Sequence, residues 1–247
     1  MLRKIKREIL EVRILLGSIP APVVMAFAVS VIMMNLLANK SINLSWEYMA
    51  LDCGILISWV SFLSMDIITK HFGPKAATEL SVVVVLVNLI CCGFFFIAGS
   101  IPGVWGQSYV PGSEAVINRA LDSTIRGTWY VLLGSTLAFI ASAVINNFSN
   151  YFIGKLLQKN ADSFGTYAVR SYVSTAIGQF CDNLVFALVV SRVFFGWTLI
   201  QCFACSLTGM VVELLLEVIF SPIGYRICKS WQAKNVGREY FELRGEL

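Results

Sequence analysis

The chain has 247 residues, of which 57% are hydrophobic and 14% charged, and its mean hydropathy is +0.74. Soluble domains carry about 25% charged residues, so this composition excludes a soluble globular protein. The uncharged stretches 19–38, 80–101 and 127–154 are each long enough to cross a bilayer, which takes roughly 20 apolar residues. A transmembrane β-barrel is excluded, because its strands alternate polar and apolar residues whereas these runs are continuous. We therefore expect an all-α integral membrane protein.

The first predicted element is a basic, amphipathic helix within residues 1–18. Leu2, Ile5, Ile9 and Val12 recur at helical spacing among five basic residues. This pattern is typical of a helix that lies on an anionic membrane surface. We predict that residues 1–18 form a cytoplasmic N-terminal segment.

Six membrane-spanning helices are predicted within a transmembrane domain at 19–226. They lie at 19–38, 48–67, 79–100, 128–150, 171–191 and 197–220. The longest connection, 101–126, contains an amphipathic segment that we expect to form a short helix along the outer surface. Residues 227–247 are predicted to form a cytoplasmic C-terminal tail.

The positions of the basic residues predict the orientation of these helices. If the N-terminus is in the cytoplasm, only four of the 19 basic residues lie on the outer side of the membrane, namely Lys40, Arg119, Arg126 and Arg192. Positive residues collect on the cytoplasmic side of membrane proteins, so both termini are predicted to be cytoplasmic. The net charge of +4 therefore reflects topology, and we expect no nucleic-acid partner.

The six helices divide into two groups of three, which is compatible with two inverted three-helix repeats. Polar residues occupy corresponding helices of the two groups. The corresponding residues are Asn35 with Asn146, Asn39 with Asn150, and Asp66 with Asp182.

A few ionisable residues lie inside the predicted spans, chiefly Asp66, Asp182 and Glu213. Such a group costs ~2.5 to 3.5 kcal/mol at the bilayer centre, so it usually faces a protein interior or a polar path. Glu213 and Glu217 are four residues apart, and two carboxylates this close are not both ionised unless a cation is near. Glu213 is therefore predicted to bind a proton or a substrate; the alternative is a pair with an arginine.

Amide and hydroxyl side chains recur four residues apart on the same helices, so each set shares one helix face. The sets are Asn35 and Asn39; Ser142, Asn146 and Asn150; and Arg170, Ser174, Gly178 and Asp182. Each set can line a binding groove. Alternatively, these side chains form interhelical hydrogen bonds that hold the helices together.

The motifs of common enzyme classes are missing from the sequence. It contains no GxxxxGK[ST] phosphate loop, no HExxH zinc motif and no GxSxG nucleophile motif. The CxxC sequence at Cys202 and Cys205 lacks a second Cys/His pair and lies in an apolar helix, so it predicts no metal or redox site. We expect a protein that is not an enzyme and needs no metal or other cofactor.

Four segments resemble the queuosine precursor transporters, the VUT or YhhQ-like family of vitamin uptake transporters. Segments 35–40, 66–76, 170–186 and 221–225 read NLLANK, DIITKHFGPKA, RSYVSTAIGQFCDNLVF and SPIGY. The resemblance runs from the first predicted span to just past the sixth. It implies a six-helix carrier of the bacterial inner membrane that imports 7-deazaguanine bases, which are precursors of the tRNA nucleoside queuosine.

This resemblance and the polar side chains together predict a substrate site. A 7-deazaguanine presents adjacent N–H donors that suit the carboxylate of Asp182 or Glu213, and a carbonyl that suits Gln179, Asn146 or Arg170. The chain departs from the family at Lys70, where relatives usually carry an acid, and at Glu213, where they carry a lysine. This reversal of charge points to an amine-bearing precursor such as 7-aminomethyl-7-deazaguanine, or to queuine, rather than to the nitrile.

The sequence therefore predicts a secondary importer that works by alternating access, with the lipid bilayer and the base as its partners; it also allows a homodimer. One alternative is the substrate-binding subunit of an energy-coupling-factor importer, which needs separate ATPase subunits. Another is a structural or assembly membrane protein.

The predicted topology can be tested by labelling single cysteines in a cysteine-free background. A membrane-impermeant thiol reagent added to intact cells should label a cysteine at Ser108 but not one at Ser163 or Ala233. Labelling at Ser163 from outside would contradict the topology.

Overall fold

A computed structural model describes residues 2–46, 48–106, 111–156 and 164–245 of the chain. Nine α-helices, one π-helical segment and one two-stranded sheet are found in these ranges. The elements are α1 (Leu2–Ser18), α2 (Ala21–Leu37), β1 (Ser41–Asn43), β2 (Ala50–Asp52), α3 (Ile55–Phe72), α4 (Pro74–Ala98), α5 (Glu114–Leu156), α6 (Phe164–Phe186), the π-helical segment Ala187–Ser191, α7 (Arg192–Phe195), α8 (Leu199–Ala233) and α9 (Arg238–Arg244).

Five described segments are long and apolar enough to cross a membrane. They are Ile55–Phe72, Pro74–Ala98, Glu114–Ile145, Val173–Phe195 and Leu199–Ala233. The pair Glu8–Ser18 and Ala21–Leu37 supplies a sixth candidate, which is bent by 106°. The bend falls just before α2 because Pro20 lacks an N–H group and disfavours a helical conformation at the residue before it. The prediction of an all-α membrane protein is confirmed.

Large apolar side chains on the spans are exposed. On α4, Leu86, Leu89 and Phe94 expose 54%, 56% and 67% of their surface. Soluble monomers rarely expose contiguous apolar patches larger than a few hundred Å², so a surface of this kind suits lipid.

The chain forms two compact units. The first comprises Met1–Met34, Leu56–Cys91 and Leu216–Leu247, and the second comprises Asn35–Ile55 and Cys92–Leu215. The core of the first unit is built from α1, α2, α3, α4, α8 and α9, and Leu15, Ile68 and Tyr240 are fully buried in it.

The C-terminal segment that was predicted to be a tail is helical and contributes to this core. Helix α8 continues to Ala233, and Phe241 of α9 stacks on Phe72 with ring centroids 5.6 Å apart. Trp231, Tyr240 and Phe241 all pack against the Phe72 ring, and the burial of these aromatic rings holds the segment against α3.

Helix α8 also passes through Pro222, although the sequence predicted that the span would end at 220. A proline removes the hydrogen bond to the carbonyl four residues earlier. The Ser221 hydroxyl donates to that carbonyl, the one of Val218, over 3.3 Å. This bond helps the helix to continue past the proline.

The second unit contains a hairpin that the sequence analysis missed. Strands β1 and β2 pair antiparallel, with Ser41 opposite Asp52. The second predicted span therefore begins at Ile55 rather than at residue 48. The Asp52 carboxylate accepts a hydrogen bond from the Gly54 N–H over 2.8 Å, and this local turn separates the strand from α3.

Helix α5 also differs from the prediction, because no break separates the amphipathic segment from the span that follows. It runs for 43 residues from Glu114 to Leu156. The stretch between them includes Thr124 and Thr128, whose hydroxyls donate to the carbonyls four residues earlier, so these polar groups are satisfied within the helix.

A pair of glycine substitutions tests the packing of α9. Gly237 and Gly245 both have positive φ, at 83° and 68°. A Cβ at Gly237 would overlap the Phe72 ring, whereas one at Gly245 meets nothing within 4 Å. Both Gly→Ala changes should cost ~1 to 2 kcal/mol of backbone strain, and Gly237→Ala should cost a further ~1 to 3 kcal/mol of overpacking.

The measurement is the thermal unfolding midpoint of each purified variant in detergent. Gly237→Ala should unfold at a clearly lower temperature than Gly245→Ala. Equal midpoints would show that α9 does not pack against Phe72.

Candidate functional site

Glu213 is a buried carboxylate in the second unit. It lies in α8 and exposes 7% of its surface. The Asn183 side-chain amide, on α6, donates a hydrogen bond from Nδ2 to Glu213 Oε2 over 3.0 Å. A charge in a membrane span needs such a partner, and this bond joins two candidate spans.

Asp182 precedes Asn183 on α6 and brings a second carboxylate to the same region. The Ser142 side chain of α5 is its hydrogen-bonding partner. Its carboxyl group also interacts electrostatically with Glu213. Three spans of the second unit, α5, α6 and α8, therefore contribute polar groups to one cluster.

Asp52 is the third carboxylate of this cluster. It ends strand β2 and interacts electrostatically with both Asp182 and Glu213. Burial raises the pKa of the Asp52 carboxyl, and the hydrogen bond from the Gly54 N–H opposes that effect. Asp52 lies in strand β2, just before α3, and its side chain is partly buried.

The hairpin that carries Asp52 is fixed to α8 by a cysteine. The Ala50 N–H donates to Cys205 Sγ over 3.1 Å, and the Cys205 thiol in turn lies 3.7 Å from the Tyr48 carbonyl oxygen. Cys205 is thus a buried residue that fixes the hairpin to α8.

Asn183 is also tightly packed against α8. A Cβ atom built at Gly209 would lie 3.0 Å from Asn183 Nδ2 and 3.4 Å from its Cγ. Glycine at 209 therefore keeps the Asn183 side chain at an ordinary contact distance from α8, because it has no Cβ. Gly209 and Glu213 are four residues apart, so they share one face of α8.

Two predicted site residues, Asn35 and Asn39, lie on α2 and just after it. Asn35 is 2% exposed, and its Nδ2 has no hydrogen-bond partner among the described residues. Asn39 donates to the Leu36 carbonyl over 3.0 Å and to Thr128 Oγ1 over 3.2 Å. Asn39 thereby links the end of α2 to α5, as the interhelical alternative predicts.

Five further predicted residues lie on α6 and α5. Ser174 is 2% exposed, and Gln179 Oε1 is buried without a hydrogen-bond partner among the described residues. Arg170 lies on α6 and Asn146 and Asn150 lie on α5, but their side chains fall outside the described part of the structure.

Asp66 belongs to the first unit, whereas the residues of the cluster belong to the second. It forms an ion pair with Lys70 over 3.0 Å, and its side chain is 38% exposed. Exposed pairs one helical turn apart contribute little to stability. The family resemblance predicts an acid at position 70. This chain has Lys70 there instead, and Lys70 pairs with Asp66.

The sequence analysis did not select Asn183, Gly209 or Asp52. Signals for the first two were present, since Asn183 follows Asp182 directly and Gly209 precedes Glu213 by one helical turn. No spacing within one helix relates Asp52 to the other two. Within the described residues, no three His, Cys, Asp or Glu side chains are arranged to hold a metal ion.

Comparison with known proteins assigns the chain to a family. Residues 52–227, well over half of the chain, match the family described as "Putative vitamin uptake transporter". The chain belongs to this family. No match was found among curated proteins or among solved structures. The vitamin uptake transporter region includes every residue of the cluster, namely Asp52, Ser142, Asp182, Asn183, Gly209 and Glu213.

Membership of a transporter family and the apolar helices together make this a multi-pass membrane protein. The matched region begins at the hairpin and ends within α8. Asn35 and Asn39 precede the matched region.

Proposed function

We propose that this protein is a secondary transporter that imports a queuosine precursor, a 7-deazaguanine base, by alternating access. The observation that carries the proposal is the cluster of Asp182, Asn183 and Glu213 on candidate spans of a vitamin uptake transporter. Carboxylates are expensive in a bilayer, and inside membrane proteins they mark substrate or ion pathways.

The chemistry of the cluster suits the edge of a guanine-like base. Such an edge presents a ring N–H and an exocyclic amino group side by side, and a carboxylate can accept from both. Glu213 and Asp182 supply the acceptors. We assign to the Gln179 amide the contact to the base carbonyl, to which its Nε2 can donate.

The charge of the cluster favours one group of precursors. Asp52, Asp182 and Glu213 are mutually interacting acids. A protonated amine on the substrate would offset their repulsion, whereas a nitrile would not. We therefore propose that the substrate is an amine-bearing precursor, either 7-aminomethyl-7-deazaguanine or queuine.

The proposal includes the location of the protein. We place it in the bacterial cytoplasmic membrane with both termini in the cytoplasm, because the basic residues are concentrated on that side. It acts as a carrier and not as an enzyme. Its partners are the base and the bilayer, and a homodimer is compatible with this account.

Complementation tests the proposed function. A bacterial strain that cannot make the deazaguanine base and lacks its own importer should regain queuosine in its tRNA when it expresses this protein and receives a low concentration of precursor. The nitrile, the aminomethyl form and queuine should be supplied separately, and the two amines should rescue best. Failure with all three, in cells that contain the protein in their membranes, would reject the proposal.

Asp182→Asn tests whether this carboxylate binds the base. The change keeps the side-chain volume but removes the charge, and hydrogen bonds to charged groups contribute ~1.5 to 3 kcal/mol. Apparent affinity for the base should therefore fall roughly 10- to 100-fold in an uptake assay. Glu114→Gln, at the exposed start of α5 in the same unit, is the matched control and should transport normally.

Protein stability separates this role from a structural one. If Asp182 binds substrate, the Asn variant should unfold at the same temperature as the wild type or higher, since a buried charge has been removed. Normal uptake by a well-folded variant would contradict the binding role. Poor expression would instead support a structural ion pair.

A further inference from the structure

The contact between Asn183 and Glu213 orients one carboxylate within the second unit. Asn183 Nδ2 donates to Glu213 Oε2 over 3.0 Å. Among the described residues, Asn183 is the hydrogen-bond donor that the structure gives to this carboxylate. The outer torsion of a glutamate is soft and roughly two-fold, so a carboxylate without such a bond can rotate.

The contact is held from the α8 side by Gly209. A Cβ at this position would lie 3.0 Å from the donor Nδ2, 3.4 Å from Cγ and 3.7 Å from Oδ1 of Asn183. The amide therefore rests directly on the backbone of α8, one turn before Glu213. Any larger residue at 209 would have to push the amide away from its present position.

The neighbouring Asp182 is held independently, so the two acids are positioned by different partners. The Ser142 side chain of α5 hydrogen-bonds Asp182, whereas Asn183 of α6 hydrogen-bonds Glu213. Consecutive residues on a helix point about 100° apart, so Asp182 and Asn183 need not act on the same group. A variant of Asn183 can therefore change Glu213 and leave the bond of Asp182 in place.

We propose that Asn183 is a positioning residue that fixes the orientation of the Glu213 carboxylate toward the substrate, and that Gly209 provides the space that this requires. The inference rests on the proposed function, in which Glu213 accepts hydrogen bonds from the base. With Oε2 bound to Asn183, Oε1 is the oxygen that receives the exocyclic amino group. Asn183 then determines specificity for a base that carries this group.

The test compares two competitors of labelled precursor uptake. One is unlabelled 7-deazaguanine, and the other is 7-deazahypoxanthine, which has the same ring system but lacks the exocyclic amino group. The readout is the ratio of their inhibition constants in cells that express each variant. This ratio reports selectivity and does not depend on the amount of protein in the membrane.

The wild type should prefer the base with the amino group, and Asn183→Ala should reduce that preference roughly 10-fold, because a freely rotating carboxylate no longer presents Oε1 in one place. Gly209→Ala should reduce the preference in the same direction but less. Gly127→Ala is the matched control, since a Cβ at Gly127 on α5 meets nothing within 4 Å, and its ratio should equal that of the wild type.

The outcomes distinguish this inference from the function on which it rests. If Glu213→Gln retains uptake and preference, the proposed role of Glu213 fails. If Glu213→Gln loses both while Asn183→Ala keeps the wild-type ratio, the positioning role is overturned and the proposed function stands. Should Asn183→Ala not reach the membrane, Gly209→Ala, which retains every polar group, decides alone: a wild-type ratio overturns the inference.

Discussion

The burial of the Glu213 carboxylate is the constraint on which the second unit depends. Such a group in a membrane span is costly unless a partner or water meets it, and here Asn183 meets it across two helices. Asn183 also packs closely on α8 at Gly209, where an added Cβ would lie 3.0 Å from its Nδ2. One polar contact thus determines both a residue on α6 and the spacing between α6 and α8.

The helix that carries Asp182 and Asn183 changes its geometry directly after them. Residues 187–191 form a π-helical turn, and such turns frequently occur at functional sites. The Tyr130 hydroxyl donates to the Val189 carbonyl over 3.0 Å, so a polar group within this turn is satisfied. Val190 is fully buried against α5 at Gly134, where a Cβ would overlap it. The end of α6 is therefore anchored to α5, which fixes the rotation of α6 about its axis and the direction of the site residues.

The sequence predicted the spans well because hydropathy follows directly from composition, but it could not predict local exceptions. At the π-turn of 187–191 and at Pro222 in α8, the hydroxyls of Tyr130 and Ser221 satisfy backbone carbonyls, and hydropathy does not show such contacts. The hairpin was missed because three-residue strands are too short to give a period-2 pattern. Asp182 and Glu213 were selected from their chemistry alone. Asn183 was not selected, because its hydrogen-bond partner Glu213 lies 30 positions away on another helix.

Uptake by the purified protein in liposomes tests the central claim most directly, because no other protein is present. The account predicts that labelled 7-aminomethyl-7-deazaguanine enters in a saturable manner, that unlabelled base competes, and that Glu213→Gln abolishes saturable uptake. An energy-coupling-factor subunit would bind the base but not move it without its ATPase partners. Binding without uptake by the reconstituted protein would therefore contradict the account.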